Sequence, residues 1–243
     1  MNNKHIDLSI IAACYREAEH IRESLPMLEK VLIASEHSYE LIVIDDASDD
    51  KTPDMLREMF GHRSDVTLRF HDKNQGRGAT VQEGIRLARG EVAGFLDIDL
   101  EVGPWYILPA FDALHKHEAD VVIGHRVYKL SSHPVILLRH ILSLGYRTLV
   151  RTLLQIPVSD PEVGFKFFRR KTILPVLDKC KDHGWFWDTE ITCLAHREGL
   201  KLIDIPCLFL RRKDKTSTVN VLQDTWTYLT HLTSFIKRQR KKN

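Results

Sequence analysis

Short apolar runs alternate with amphipathic segments through the first half of the chain. Four segments are of strand length, and those at 8–13, 41–44 and 92–96 are apolar almost throughout, which is typical of strands buried on both faces of a parallel sheet. The four segments lie at 8–13, 41–44, 66–70 and 92–96. The first three are each followed by a polar loop and then by apolar residues at helical spacing. The pattern predicts an α/β fold with a mostly parallel central sheet and helices on both faces.

The second half continues this alternation less regularly. Strands are predicted at 121–124, around Phe167 and at 202–206, and a helix is predicted to end at Gly199. A last amphipathic segment, 219–236, runs into five Lys or Arg residues. Such a helix either holds an anionic membrane surface or frays at the end of the domain, and the pattern leaves both interpretations open.

Carboxylates follow the strand at 92–96 at alternate positions. They are Asp97, Asp99 and Glu101, and in an extended chain alternate side chains point to the same side. The carboxyl ends of parallel strands are where open α/β sheets bind ligands, and carboxylate oxygens suit Mg²⁺ or Mn²⁺ bridging phosphates. The sequence therefore predicts a metal site at Asp97 and Asp99, with Glu101 either a third ligand or a residue of the loop, and the alternative for all three is a solvated acidic loop.

A glycine-rich loop precedes the third predicted helix. Gly76 and Gly78 flank Arg77, but Val81 stands where a dinucleotide fingerprint needs its third glycine, and no Walker loop is present. The backbone N–H groups of this loop remain available for a phosphate at the start of the helix.

Composition excludes some functional classes. The 243 residues include 35 Lys or Arg and 33 Asp or Glu, giving a net charge of +2, so no nucleic-acid partner is expected. Four cysteines form no Cys-Xaa-Xaa-Cys pair, which favours buried thiols in a reducing cytosol. The most apolar stretch, 135–154, contains Arg139, Arg147 and Arg151, so we expect no membrane span there and a soluble or peripheral protein.

Several motifs, taken together and in order, resemble one known family. The chain resembles the inverting GT-A glycosyltransferases of the dolichyl- and polyprenyl-phosphate sugar synthase type over roughly residues 6 to 220. The motifs are Ala-Cys-Tyr-Arg-Glu at 13–17, Ile-Val-Ile-Asp-Asp-Ala-Ser-Asp-Asp-Lys-Thr at 42–52, Asn-Gln-Gly-Arg-Gly-Ala at 74–79, Phe-Leu-Asp-Ile-Asp-Leu-Glu at 95–101, and the segments 120–126, 158–166 and 185–190.

The resemblance implies a domain organisation and a reaction. A single GT-A catalytic domain would span 1–218, with a donor half at 1–125 and an acceptor half at 126–218, followed by an amphipathic helix and basic tail at 219–243. The enzyme would move a hexose from a nucleotide diphosphate sugar of the GDP-mannose or UDP-glucose type to a polyprenyl or dolichyl phosphate, with Mg²⁺ or Mn²⁺ as cofactor. It would work in the cytoplasm, peripherally at the inner face of the membrane, with a separate membrane partner or an oligomer as further possibilities.

The resemblance also implies roles for individual residues. The nucleotide sugar would be held by Ala13, Tyr15, Glu17, Asp45, Gly76, Arg77, Asp97, Ile98 and Asp99. The phosphates and the acceptor would be held by Arg126, Arg139, Lys166, Arg212 and Lys215. The residues expected to act in catalysis are Asp99, Asp160, Arg126 and Lys166.

Alternatives stay open at four points. Asp45 and Asp46 could cap the following helix instead of binding a ligand. The segment 131–155 is either a core-covering pair of helices or an interfacial element, and the lipid acceptor of the family favours the second. Trp185, Phe186 and Trp187 form a sugar platform or belong to the core.

The fourth alternative concerns the reaction itself. A same-fold enzyme could instead glycosylate a hydroxyl group, with Asp160, Asp188 or Glu190 as its base. A non-catalytic nucleotide-sugar-binding protein is the third hypothesis for the chain.

Overall fold

A computed structural model describes residues 5–116, 118–128, 144–145, 147–211 and 221–240, with only the backbone described at 221–226. The elements are β1 (Leu8–Cys14), α1 (Ile21–Ala34), β2 (Tyr39–Asp45), α2 (Thr52–Phe60), β3 (Val66–Phe70), α3 (Arg77–Leu87), β4 (Val92–Leu96), a 3-10 turn (Pro104–Tyr106), α4 (Ile107–His115), β5 (Val121–Tyr128), α5 (147–154), β6 (Phe165–Arg169), α6 (Arg170–Leu177), α7 (Trp187–Arg197), β7 (Leu202–Phe209) and α8 (Val221–Arg240).

Seven strands form one sheet in the order β3-β2-β1-β4-β6-β5-β7. The strands β1 to β4 pair in parallel with one another, and β5 pairs in parallel with β7. The strand β6 is antiparallel to both of its neighbours, β4 and β5. The prediction of a mostly parallel α/β sheet is confirmed, and the reversal of β6 is a feature that the hydrophobic pattern did not reveal.

Both faces of the sheet are covered. Consecutive residues of β2, Leu41 to Ile44, are all completely buried, although neighbouring side chains of a strand point to opposite faces. The helices form two contacting sets, α3 with α6 and α7, and α1 with α2 and the 3-10 turn. This layering buries the apolar residues of β1, β2 and β4, whereas the edge strands β3 and β7 stay partly exposed.

The reversal of β6 places the segment before it at the functional edge. Leu96, the last residue of β4, pairs with Phe165, the first residue of β6. Directly beyond that pair, the N–H of Asp97 donates to the carbonyl oxygen of Gly164 at 2.8 Å. A Cβ atom on Gly164 would lie 1.8 Å from Oδ2 of Asp97, so the close approach of these two segments requires glycine.

The last helix packs against the domain instead of standing free. Leu232 and Phe235 of α8 are buried, and Phe235 contacts the ring of Phe186. Arg238 donates to Glu190 at 2.8 Å, and Tyr228 is hydrogen-bonded to Thr189. The apolar stripe of this helix is therefore used for packing. Among the described residues, no helix combines the length and the hydrophobicity needed to cross a bilayer.

Candidate functional site

A cavity of about 390 Å³ opens at the carboxyl ends of β1, β2 and β4. Loops after these strands and the start of α3 form its walls. Its lining consists of Ala13, Cys14, Tyr15, Glu17, Asp46, Asn74, Gly76, Arg77, Thr80, Asp97, Ile98, Asp99, Gly184 and Trp185. All the residues expected to hold a nucleotide sugar except Asp45 are therefore brought together around one space.

Asp46, and not Asp45, faces this cavity. Asp46 accepts hydrogen bonds from the backbone N–H groups of Gln75 and Gly76 at 2.8 and 2.9 Å, which fixes the glycine-rich loop. Asp45 is buried, and its Oδ2 accepts the N–H of Ser48 at 3.1 Å. This bond lies in the loop before α2 and does not cap that helix, whose N-cap is Lys51 and has no side-chain capping bond, so the capping alternative is wrong for Asp45. Its Oδ1 has no hydrogen-bond partner in the described part of the chain, so a ligand role for Asp45 stays a prediction.

His71 lies behind Asp46 and joins it to α3. Its Nδ1 is 2.7 Å from Asp46 and its Nε2 is 2.9 Å from Glu83, and the imidazole side chain is only 6% exposed. Burial by itself lowers the pKa of His71, but the hydrogen bonds to the two carboxylates outweigh it, so the pKa is raised. A protonated His71 donates to both carboxylates and thereby supports the loop that lines the cavity.

The acidic lip of the cavity is built around Arg77. Its Nε and Nη2 donate to Oδ1 of Asp97 at 2.8 and 2.6 Å, and its Nη1 donates to Asp188 at 2.5 Å. Burial raises the pKa of Asp97, Arg77 opposes this, and the charges of Asp99 and Asp188 add to it, so the net shift is upward. Asp97 is ion-paired with an arginine, yet it lines the cavity and its side chain is 38% exposed.

Lys166 does not face the cavity, which corrects the prediction that it binds phosphate. It occupies the middle of β6 between Phe95 of β4 and Ile123 of β5, and its side chain is completely buried. Its Nζ donates to Asp188 at 2.6 Å and to the carbonyl oxygen of Val163 at 2.5 Å. Lys166 is thus a positioning residue for Asp188, and burial lowers its pKa.

A second ionic cluster lies on the acceptor side. Asp160 is completely buried and accepts from Nε and Nη2 of Arg126 at 2.6 and 2.8 Å and from Arg147 at 3.1 Å. Burial raises the pKa of Asp160, but the two guanidinium groups outweigh it and hold the pKa below its usual range. The side chain of Arg126 stays 20% exposed, so Asp160 positions this arginine at the surface.

The three aromatic residues before α7 divide between the two predicted roles. Trp185 lines the cavity, is 69% exposed and lies over the guanidinium of Arg77, 4.9 Å from the ring centroid. Phe186 and Trp187 are buried in the core. Only Trp185 is therefore placed to contact a ligand.

Glu101 is separated from the cavity lining. Its N–H donates to Oδ1 of Asp99 at 3.2 Å and its carbonyl oxygen accepts from Leu210 at 2.8 Å. In the part of the chain that the structure describes, no three His, Cys, Asp or Glu side chains converge as a metal site. This arrangement does not support the predicted three-carboxylate site, and it leaves Asp97 and Asp99 as candidate ligands. Arg139, Arg212 and Lys215 lie outside the described residues.

The family model for glycosyl transferase family 2 matches residues 9–174, which is more than half of the chain. The chain belongs to glycosyl transferase family 2.

Curated relatives show which members of family 2 this chain is similar to. The chain is 28% identical over 207 residues to glycosyltransferase AglD of Haloferax volcanii, covering 83% of this chain and 32% of that protein. It is 28% identical to the dolichyl-phosphate beta-glucosyltransferases of Dictyostelium discoideum and Saccharomyces cerevisiae, covering 83% and 84% of this chain and 65% and 67% of theirs. The chain thus spans a third to two thirds of the length of these relatives.

Solved structures confirm the GT-A fold. Glucosyl-3-phosphoglycerate synthase from Mycobacterium tuberculosis, in complex with Mg²⁺ and UDP, superposes with a TM-score of 0.69 at 15% identity, covering 95% of this chain and 78% of that chain. A mannosyltransferase from Pyrobaculum calidifontis, in complex with GDP-Man and Mn²⁺, gives a TM-score of 0.58 at 19% identity, covering 87% and 59%.

A residue that the sequence reasoning missed in this family 2 chain is Glu162. Burial raises its pKa to about 7, although Arg126 opposes the shift, and Tyr228 donates a hydrogen bond to the carboxyl. Its Oε1 is buried without a hydrogen-bond partner among the described residues. In the sequence, Glu162 is marked only by its place two residues after Asp160, in the segment 158–166, where Asp160 and Lys166 are the predicted site residues.

The three carboxylates expected as bases for a hydroxyl acceptor are all engaged. Asp160 and Asp188 are held by the arginine and lysine contacts described above. Glu190 is buried and accepts the N–H groups of Lys181 and Asp182 at 2.9 and 2.6 Å as well as Arg238. None of the three is therefore placed to remove a proton, which corrects that expectation.

The raised pKa of His71 predicts a pH-dependent contribution to stability. The contribution is complete below the ordinary histidine pKa of about 6.5 and is lost as the pH rises through the higher pKa of the folded state. We expect His71→Gln to lower the melting temperature by about 2–5 °C near pH 6 and by much less near pH 9. The exposed His62→Gln is the control, and a pH-independent difference for His71→Gln would contradict this role.

Proposed function

We propose that this chain transfers a hexose from a nucleotide diphosphate sugar to a polyprenyl or dolichyl phosphate, with inversion at the anomeric carbon. The observation that carries the proposal is the meeting of Asp97 and Asp99 with the Gly76–Arg77 loop around one cavity at the carboxyl edge of the sheet. Two of the curated relatives are dolichyl-phosphate beta-glucosyltransferases, which supports this class of acceptor.

The donor half of the reaction follows from the cavity. Trp185 and Tyr15 are exposed aromatic rings in its lining and offer stacking surfaces for base or sugar. Gly76 has φ +95°, and a Cβ atom there would lie 2.4 Å from the carbonyl oxygen of His183, so the tight loop needs glycine. The loop leads directly into α3, whose dipole favours an anionic diphosphate, although the N–H groups of Gln75 and Gly76 already donate to Asp46 and that of Ala79 to His183.

Asp97 and Asp99 fit a hard divalent cation. Burial raises the pKa of Asp97, Arg77 opposes the shift, and the neighbouring charges of Asp99 and Asp188 add to it, so a cation beside Asp97 would be favourable. A Mg²⁺ or Mn²⁺ ion held there would neutralise charge on the departing diphosphate. The ions that accompany the nucleotides in the two solved relatives support this assignment.

The acceptor needs orientation more than proton removal. A lipid monophosphate is already an anionic nucleophile, and its oxygen forms the new bond to the anomeric carbon as the bond to the diphosphate breaks. Arg126, held by Asp160, offers a guanidinium whose fork geometry suits a phosphate. The protein then contributes mainly positioning and electrostatic stabilisation.

An exposed apolar surface on α5 supports a peripheral membrane location at the cytoplasmic face. Leu149 and Leu153 lie one turn apart and are 46% and 51% exposed, whereas Val150 and Leu154 of the same helix are buried. Arg147, which shares this helix, turns inward to Asp160. The helix thus presents leucines outward beside the arginine cluster proposed for the acceptor phosphate.

Transfer of labelled sugar to lipid tests the proposal. With Mn²⁺ and a polyprenyl phosphate, GDP-mannose or UDP-glucose should give a lipid-extractable labelled product. Asp99→Asn should lower kcat by about 100-fold or more because it weakens stabilisation of the leaving diphosphate. The matched control is Asp112→Asn on the exposed face of α4, which should retain wild-type turnover.

Other outcomes of this assay point elsewhere. Tight nucleotide binding without transfer to any acceptor would favour a sugar-nucleotide-binding protein. Transfer to a water-soluble acceptor with no need for lipid would favour the hydroxyl-directed enzyme, for which the carboxyl of Glu162 is the specific supporting observation.

Glu162→Gln separates the two acceptor classes. A phosphate acceptor needs no base, so this substitution should leave kcat for the lipid phosphate within about threefold of wild type, whereas a hydroxyl acceptor would lose about 100-fold or more. The ordinary pKa of a glutamate is near 4.5, and the pKa of Glu162 in the folded protein is about 7. The wild type therefore loses stability as the pH rises from about 4.5 through about 7, because Glu162 becomes charged while it is buried. The variant should therefore melt higher than wild type at pH 8.5, which shows that the substitution reports on Glu162 itself.

A further inference from the structure

A second cavity, of about 460 Å³, lies at the end of the central strands opposite to the cavity proposed for the donor. Val92 at the start of β4 and Arg169 at the end of β6 contribute to its wall. The donor-side residues Asp97 and Gly164 adjoin the other ends of the same two strands. The two cavities are therefore separated by the full length of the central strands, and the second has no part in the proposed transfer reaction.

The lining of this distal cavity is strongly cationic. Arg89, Arg169, Arg170 and Lys171 line it, and Glu91 is the one carboxylate among its described lining residues. Arg89 is paired with Glu40 at 2.7 Å and Arg169 with Asp120 at 3.3 Å. Arg170 and Lys171 have no ion pair with any described residue, so their charges are left for a ligand.

Arg170 carries the clearest sign of a missing partner. Its Nε is buried and has no hydrogen-bond partner among the described residues. A buried guanidinium N–H without an acceptor is energetically unfavourable. An anion in the adjoining space would offset the positive charge of this guanidinium, which has no ion pair with any described residue.

The helix that begins at Arg170 adds to the positive potential. Its N-terminus has no side-chain cap and no acidic residue in the first turn, where Arg170 and Lys171 stand instead. Basic residues at this end oppose the helix dipole, so the arrangement is unfavourable without an anion. The N–H of Arg170 already donates to the carbonyl oxygen of Glu91 at 2.9 Å, so with an anion in the cavity the helix dipole and the side-chain cations act together on it.

We propose that the distal cavity binds a small anion that carries a phosphate group. The guanidinium of Arg170 suits two phosphate oxygens, and the ammonium of Lys171 supplies a second charge for a dianion. The volume lies in the range of small-molecule sites, so either free phosphate or the phosphate ester of a small metabolite fits.

Calorimetric titration of the whole chain tests this site. Inorganic phosphate and a hexose monophosphate are titrated separately at constant ionic strength, with chloride as the baseline. Wild type should bind at least one of them, and tighter binding of the ester would identify a metabolite as the ligand. Arg170→Gln with Lys171→Gln should weaken that binding by about tenfold or more because two charge-assisted contacts are lost.

The control removes the same charge elsewhere. Arg86→Gln with Lys179→Gln takes two exposed cations that lie outside both cavities, and this variant should bind like wild type. If the double variant at 170 and 171 melts early, the exposed Lys171→Gln alone is used, with a weakening of about threefold or more expected. Equal affinity in the distal variants and wild type, or no binding of either ligand by wild type, would overturn the proposal.

Discussion

The bridge that Arg77 makes between Asp97 and Asp188 determines the shape of the donor site. Lys166 bonds Asp188 from the core side, so charges of opposite sign alternate from the middle of the sheet to the cavity. Buried charges are tolerated only when they are paired, and this chain of pairs fixes the position of Asp97. Burial and the neighbouring carboxylates of Asp99 and Asp188 together outweigh Arg77 and raise the pKa of Asp97, so a cation beside Asp97 would be favourable at the place where we propose that the diphosphate binds.

The reversed strand β6 brings the two halves of the site together. Its N-terminal end meets the carboxyl end of β4, so the segment from Asp160 to Gly164 reaches the same edge as Asp97. The arginine cluster around Asp160 then lies on the acceptor side of that edge. One antiparallel strand in a parallel sheet thus brings a contiguous motif close to both the proposed donor site and the proposed acceptor site.

Sequence patterns predicted the fold and most of the cavity lining. They failed where the role of a residue depends on the direction of its side chain or on strands that are distant in the sequence. Uninterrupted apolar runs identified β1 to β4, and polar residues at their ends had to gather at one edge. Asp45 and Asp46 are adjacent in the sequence, which does not reveal which of the two faces the cavity. In the structure Asp45 is the last residue of β2, and Asp46, which follows it, lines the cavity. Lys166 was misjudged because its burial depends on strands β4 and β5, which flank it in space and are far away in the sequence. The pKa of Glu162 likewise depends on burial that no local pattern encodes.

The central claim is that Asp97 and Asp99 hold a divalent cation that binds the donor's diphosphate. Equilibrium binding of UDP and GDP, measured with Mn²⁺ and again with a chelator, tests it most directly. The account predicts that Mn²⁺ tightens binding of the preferred nucleotide by about tenfold or more in wild type, and that Asp97→Asn abolishes this gain. Equal affinity with and without the metal in wild type, or an undiminished gain in Asp97→Asn, would contradict it.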